Sequence, residues 1–329
     1  MTSGCSAEVR GNGAILLGRG VVADSYAPRP YRVVTHAHSD HMLGLRRSVR
    51  ESLFILATPT TFKFLEVLGH NIPGGKRLEL GYRRPVVLED EVVELRPARH
   101  IAGSAQVLVE CRESIVGYTS DFKMPGTEPL QGLDTLVIDA TYGSPRLQRR
   151  WGEWDALAAL IDIIERGIRE GPVWVYGYNG KLQEVMVELR RRGVRYPFLA
   201  DERTVKLALI ASEFYGFPVE DLRVYTGYEE EAAVIFLHAS KTRRRRGTHV
   251  ILTGWEMRAP AARVSDNVYN VSYSDHATFK EVIEYVEEAN PRRVVVDAYR
   301  GSDAWFTAKY ITKRLGIEAT ALPAKRPNP

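Results

Sequence analysis

The 329-residue sequence predicts an α/β protein in which one folded unit is interrupted by a second. Three observations lead there. Short apolar strands fill the first 140 residues, a strand–helix alternation takes over after Pro145, and one more strand–helix unit closes the chain. These changes of period set the expected boundaries at 1–145 and 272–329 for the divided domain and 146–271 for the inserted α/β domain.

The strands of the first part read as GAILL, YRVVTH, LFILAT, PVVLEDEVVELRPA, SAQVLVEC, SIVGYTSD and DTLVIDA. Several alternate apolar and polar residues with period two, as half-buried strands do. The segment EWDALAALIDIIERGIREG then carries apolar residues at helical spacing and stops at a glycine. PVWVYGYNG reads as a buried strand and turn, with helices over KLQEVMVELRRRG and ERTVKLALIASEFYG behind it. Beyond NVYNVSYSDHA come helix TFKEVIEYVEEANP, strand RRVVVDAY and helix SDAWFTAKYITKRLG.

Composition narrows the class. No apolar run has the length of a membrane span, so no membrane partner is expected. The opening MTSGCSAEVRGNGAILLG lacks the charged-then-apolar layout of a signal peptide, which predicts a cytoplasmic protein. The two cysteines, Cys5 and Cys111, build no disulfide framework and match no metal spacing, and are expected as a mobile terminal thiol and a small apolar filler. The net charge of +4 is modest, yet arginines cluster at Arg46–Arg47, Arg149–Arg150, Arg190–Arg192 and Arg243–Arg246. Such runs suit a polyanionic partner or merely solvated faces.

Three of the chain's eight histidines crowd into THAHSDH as His36, His38 and His41, with Asp40 among them. In an extended segment residues two apart share a face, so His36 and His38 can grip one ion. Asp40 and His41, at the following turn, can face a second. More ligands must come from elsewhere: His100 ends a strand in PARHIAGSAQ, and Asp121 ends another in YTSDF, where a carboxylate can bridge two ions. A lone histidine at a strand end is ordinarily structural; this set in this order points to metal.

These segments resemble a known family. THAHSDH is similar to the His-x-His-x-Asp-His signature of the metallo-β-lactamase fold, and RHIAGSAQ and TSDF to its next motifs. The resemblance implies an αββα sandwich with two Zn²⁺ ions (Mn²⁺ as the alternative) along one edge. His36, His38 and His100 would hold one ion, Asp40 and His41 the other, and Asp121 would bridge. LVIDATYG, VYGYNGKLQE and SYSDHATF further resemble motifs of the β-CASP nucleases, matching Asp139, Gly180, Gln183, Glu184 and His276, with the insert where those proteins carry a cap domain. LTGWEMR and the compact length look most like the short mRNA 3′-end processing factor-like, or DNA-ligase-associated exonuclease, subgroup. Two positions depart from the pattern. Asp297 stands where many members have a metal-binding histidine, and can ligate metal or hold a water or a neighbour; Thr278 stands where an aspartate often follows His276.

The resemblance implies a metal-dependent phosphodiesterase acting on single-stranded RNA or DNA, exonucleolytic, in RNA processing or DNA repair, as a homodimer or within a processing complex. Asp40 would orient the attacking water, and His276, positioned by Asp139, would protonate the leaving oxygen. Thr253 and Gly254 are candidates for contacting substrate phosphate, and Tyr178, Trp255 and Tyr273 for lining a cleft under the cap. His70, His238 and His249 fit no motif and read as structural. Two other functions compete: a small-molecule hydrolase of thioesterase or lactamase type, and a nucleic-acid-binding subunit with weak catalysis.

Overall fold

The computed structural model describes residues 5–219, 221–227, 232–243 and 245–324; Arg244, in the fourth arginine cluster, lies outside them. In chain order the elements begin β1 (Ala7–Val9), β2 (Ile15–Leu17), β3 (Val21–Ala23), β4 (Tyr31–Val33), α1 (Leu45–Glu51), β5 (Phe54–Ala57), α2 (Pro59–Val67) and β6 (Arg77–Glu79). Next come β7 (Val86–Leu88), β8 (Glu91–Pro97), β9 (Ala105–Cys111), β10 (Ser114–Tyr118) and β11 (Thr135–Ile138). The middle contains α3 (Glu153–Gly167), β12 (Val173–Gly177), α4 (Lys181–Arg191), β13 (Phe198–Ala200), α5 (Glu202–Tyr215), β14 (Leu222–Val224), β15 (Val234–His238), β16 (Thr248–Thr253), β17 (Ala261–Ser265) and β18 (Val268–Ser272). Last are α6 (Phe279–Ala289), β19 (Arg293–Asp297), α7 (Ala304–Leu315) and β20 (Glu318–Leu322).

The chain divides into two compact units, 1–148 with 276–329, and 149–275. The first contains a six-stranded sheet in the order β1-β2-β3-β4-β5-β6 and a seven-stranded sheet in the order β20-β19-β11-β10-β9-β8-β7. One apolar cluster takes Ile15, Leu17, Val33 and Leu56 from the first sheet and Val93, Val107, Val116, Val137 and Val295 from the second. The alternate residues of β11 and β19, Leu136, Ile138, Val294 and Val296, turn the other way and pack with Val282 and Val286 of α6 and Ile311 of α7. Each such fully buried aliphatic side chain contributes about 1.5–3 kcal/mol of transfer free energy.

Strand direction positions the chemistry. β10, β11 and β19 run parallel to one another. Their carboxyl ends therefore share one sheet edge, and Asp121, Asp139 and Asp297 follow or end those strands. α6 begins just after His276 with a capping box, in which Thr278 accepts from the Glu281 N–H and Glu281 accepts from the Thr278 N–H and hydroxyl. Thr278 thus starts a helix, which explains its residue type.

The second unit has one seven-stranded sheet, β14-β13-β15-β12-β16-β18-β17, parallel except for β17 against β18. Leu157, Leu160 and Ile164 of α3 and Leu182, Val185 and Leu189 of α4 cover one face with Val173 and Val175. Trp174 and Tyr176, the alternate residues of β12, belong to the other face with Leu199, Ile235 and Leu237.

Two expectations need correction. The first 140 residues are not all strand: α1 and α2 interrupt them, and α2 carries a readable start, Thr58 accepting from the Thr61 N–H with Pro59 in the first turn. Cys5 and Cys111 are not separate thiols but a disulfide with Cα atoms 5.7 Å apart. The two sheets share a core, so the residue leading into β1 and the last residue of β9 meet; a separation of 106 residues in sequence hid this.

Candidate metal centre

β4 delivers Val34, Thr35 and His36 into the interior, and a single 3₁₀ turn, Ser39–His41, swings the next candidate ligands round. His36 is fully buried, with Nδ1 3.1 Å from Thr35 Oγ1 and 3.3 Å from Ser120 Oγ. Those hydroxyls occupy Nδ1 and leave Nε2 for the site. Nε2 lies 3.2 Å from His38 Nδ1, which in turn lies 3.0 Å from His100 Nε2. Asp121 Oδ2 is 3.7 Å from His36 Nε2 and 3.6 Å from His100 Nε2.

Ligand atoms of His36, His38, His100 and Asp121 all lie within 4.8 Å of one another. Nitrogens bound tetrahedrally at zinc distances would stand about 3.3 Å apart, so this donor set has the spacing of a coordination shell. Burial, reinforced by His41, His100 and His38, pushes the His36 pKa well below the ordinary imidazole value. That direction favours the neutral ring, the form that binds metal.

His41 faces the same carboxylate from the other side. Its Nε2 lies 3.2 Å from Asp121 Oδ2 and 3.4 Å from Asp40 Oδ2, and is buried without a well-aligned hydrogen bond among the described residues. A buried ring nitrogen between two carboxylates is what a second cation would satisfy. Burial opposes ionisation of Asp121 and Asp40, yet His41 holds both below the usual carboxylate range, with His276 adding to the effect on Asp121. For His41, burial favours the neutral ring, but Asp121 and Asp24 together raise its pKa well above the ordinary value.

The remaining partners follow outward. Asp121 Oδ2 is 3.9 Å from His276 Nδ1, and His276 Nδ1 is 3.1 Å from Asp139 Oδ2. Asp139 Oδ1 accepts from the N–H and hydroxyl of Thr141, which fixes its rotamer. Asp121, Asp139 and His276 form a second group with ligand atoms within 4.8 Å.

Asp297 takes other partners. Its Oδ1 accepts from the Tyr299 and Arg300 N–H groups, and its Oδ2 lies 3.0 Å from the Arg300 guanidinium. Arg300 also donates to the carbonyls of Gly13 at 3.0 Å and Asp40 at 2.9 Å. In the second unit, Thr253 Oγ1 accepts from the Trp255 N–H and Gly254 O from Arg149.

Several residues of the site went unread in the sequence. Asp24, buried and with φ +61°, accepts from the Thr35 N–H and hydroxyl and from His41 Nδ1. It ends the apolar run GVVAD as Asp121 ends its own strand, which was the available signal. Ser120 donates to Thr35 at 2.7 Å. Arg32, fully buried and with its pKa lowered by burial to about 9, donates to the His41 carbonyl at 3.1 Å. Two buried guanidinium groups, Arg32 and Arg300, thus hold the adjacent carbonyls of His41 and Asp40.

Known proteins bear on this arrangement. No family model matches the chain. An Acidianus ambivalens protein described as an uncharacterized protein in lig 3′region is 37% identical over 137 residues, spanning 41% of this chain and 97% of that one. A probable DNA ligase of Opitutus terrae is 26% identical over 90% of this chain and 30% of its own length. Protein artemis of Rattus norvegicus is 25% identical over 47% of this chain and 28% of its own. The chain therefore spans under a third of the ligase and Artemis relatives. A crystal structure of a protein of unknown function from Enterococcus faecalis V583 shares the fold at a TM-score of 0.56 and 12% identity, over 81% of this chain and 74% of that one. These relatives, together with motifs that converge on Asp121, make the chain a member of the β-CASP nuclease family of the metallo-β-lactamase fold.

Proposed function

We propose that this chain is a zinc-dependent nuclease hydrolysing phosphodiester bonds of single-stranded nucleic acid, with DNA favoured over RNA because two of its relatives are named for a ligase or its gene region. The observation that carries the reading is the position of Asp121: one carboxylate oxygen within 3.9 Å of His36, His41, His100 and the Asp139-bound His276. A cation cluster beside an aspartate-held histidine suits phosphoryl chemistry, in which charge must be absorbed and a leaving oxygen protonated. In this reading 1–148 with 276–329 is an αββα sandwich and 149–275 its cap.

His36, His38, His100 and Asp121 would hold one zinc; Asp40 and His41, with Asp121 shared, would hold another. When bound, the ions would lower the pKa of a water and stabilise charge on the phosphate oxygens. Asp40, the most exposed carboxylate of the group, orients the attacking water. Asp139 accepts a hydrogen bond from the His276 Nδ1–H, which leaves the Nε2–H of the ring to protonate the departing oxygen.

The test is cleavage of 5′- and 3′-labelled single-stranded DNA and RNA by wild type and Asp40→Ala, with and without chelator. Cleavage abolished by chelator, restored by Zn²⁺ or Mn²⁺ and reduced at least about 100-fold by Asp40→Ala is expected. Chelator-insensitive cleavage would overturn the metal mechanism, and inertness of the metal-loaded protein on all four substrates would overturn the nuclease reading.

A further inference from the structure

We infer that residues 239–243 and 245–247, in the connection from β15 to β16, form a docking strip for the phosphate backbone of a single-stranded nucleic acid; the choice of partner rests on the nuclease reading above. The topology comes first. From β12 the chain steps through α4, β13 and α5 to β14 in one direction along the sheet. The return from β15 to β16 passes over β12 in the opposite direction. Right-handed crossovers in opposite directions lie on opposite faces, so this connection crosses the face without α4. Its sequence is Ala-Ser-Lys-Thr-Arg-Arg-Arg-Arg-Gly, which opens with a single 3₁₀ turn over Ala239–Lys241 and has five basic residues, no acidic one and no large apolar one.

A run of arginines is usually just solvated, but this segment is bolted down through its main chain. The fully buried Trp174 donates Nε1–H to the Arg246 carbonyl at 2.8 Å. His249 Nε2 lies 3.0 Å from the Arg245 carbonyl, and Asn267 donates to the Gly247 carbonyl at 2.6 Å. Tyr176 completes the set: its hydroxyl is 3.2 Å from His249 Nδ1 and accepts from Arg245, whose guanidinium lies 4.4 Å from the Trp174 ring centroid. Gly247, at φ +102°, is pressed so close that a Cβ would stand 2.1 Å from the Pro172 carbonyl oxygen.

Three successive carbonyls therefore face side-chain donors, two of them the buried Trp174 and His249 and the third the half-buried Asn267, while Arg243 and Arg246 stay exposed. Among the described residues no carboxylate forms an ion pair with Arg243, Arg245 or Arg246; Lys241 alone of the segment is paired, to Asp201. A fixed main chain carrying guanidinium groups that no described carboxylate pairs loses less entropy on binding an anion than a floppy one. Guanidinium suits phosphate. The absence of any apolar side chain to insert argues against a lipid surface.

The experiment measures binding of a fluorescent 20-nucleotide single-stranded DNA by anisotropy across a KCl series. It compares the Asp40→Ala protein with the same protein carrying Arg243→Ser and Arg246→Ser, and checks the fold by circular dichroism. Loss of two phosphate contacts is expected to reduce the slope of log K against log salt by about 1.4. Trp174→Phe, which keeps every charge but loses the Nε1 donor, is expected to weaken binding as well. In the otherwise wild-type protein, Arg243→Ser/Arg246→Ser should leave hydrolysis of bis(p-nitrophenyl) phosphate, a single phosphodiester, unchanged. An unchanged slope would overturn the docking strip while intact cleavage left the nuclease reading standing. A reduced slope without cleavage by the wild type would support the strip and sink that reading. Arginine-dependent sedimentation with phosphatidylglycerol vesicles and no effect on DNA binding would reassign the strip to membranes and overturn the proposal.

Discussion

His41 Nδ1 lies 2.7 Å from Asp24 Oδ2, and both side chains are fully buried. The pair keeps the proton on Nδ1 and leaves Nε2 to face Asp40 and Asp121. Outer carboxylates of this kind orient metal-binding imidazoles. Asp24→Asn keeps shape and tolerates the positive φ, but removes the charge. It is expected to lower affinity for the His41-side metal about 10–100-fold with an unchanged circular dichroism spectrum, measured by competition with a chromophoric chelator. Equal affinity would show that Asp24 has no such role.

Whether Asp297 is a ligand or a partner of Arg300 is open to experiment. Asp297→Asn is expected to leave zinc content near that of wild type by elemental analysis, whereas Asp121→Asn should lower it. Arg300→Met leaves the buried Asp297 carboxylate without its ion-pair partner and releases the Asp40 carbonyl. Breaking a buried pair in this way costs about 3–5 kcal/mol, to be read from urea denaturation. Zinc loss in Asp297→Asn equal to that in Asp121→Asn would make Asp297 a ligand.

Metal should also stabilise the fold. With the ion at 100 times its Kd the gain is about 2.7 kcal/mol, visible as a rise in Tm on adding Zn²⁺ to chelator-treated protein. Asp121→Ala should flatten that response. Because protons compete for the imidazole nitrogens, the Zn²⁺-dependent rise should shrink as the pH falls from 7 to 5. A rise that grows on acidification would exclude imidazole ligation.

The Cys5–Cys111 disulfide closes a loop of about a hundred residues, for which a stabilisation of about 2–4 kcal/mol is typical. Dithiothreitol should lower the wild-type Tm and leave a Cys5→Ser/Cys111→Ser protein unaffected. Two titratable thiols in unreduced, denatured wild type would show that the bridge does not form.

Local signals were legible and distant pairings were not. His36, His38, Asp40 and His41 sit within six residues, so their crowding is visible in the sequence itself. The helix over Phe279–Ala289 shows its apolar period, and Thr278 and Glu281 its cap. Asp24 gives no hint of His41, because which strand end meets which turn depends on pairing β3 with β4. The same holds for Cys5 with Cys111, and for Arg300, whose partners span Gly13, Asp40 and Asp297. The arginine run after β15 suits a polyanionic partner or a solvated face by sequence alone; the order β15-β12-β16 is what brings Arg245 and Arg246 to Tyr176 and Trp174.

The parallel pairing of β11 with β19 has a consequence for biosynthesis. These neighbouring strands of the first unit's sheet are separated in the chain by all of 149–275. On a ribosome adding about 5–20 residues per second, His36 through Asp121 emerge roughly 10–30 s before His276. The nascent protein thus owns most of its candidate metal ligands while two of the seven strands of that sheet, β19 and β20, are still untranslated. Exposed sheet edges and half-built ligand clusters must wait together until residues 276–322 close both.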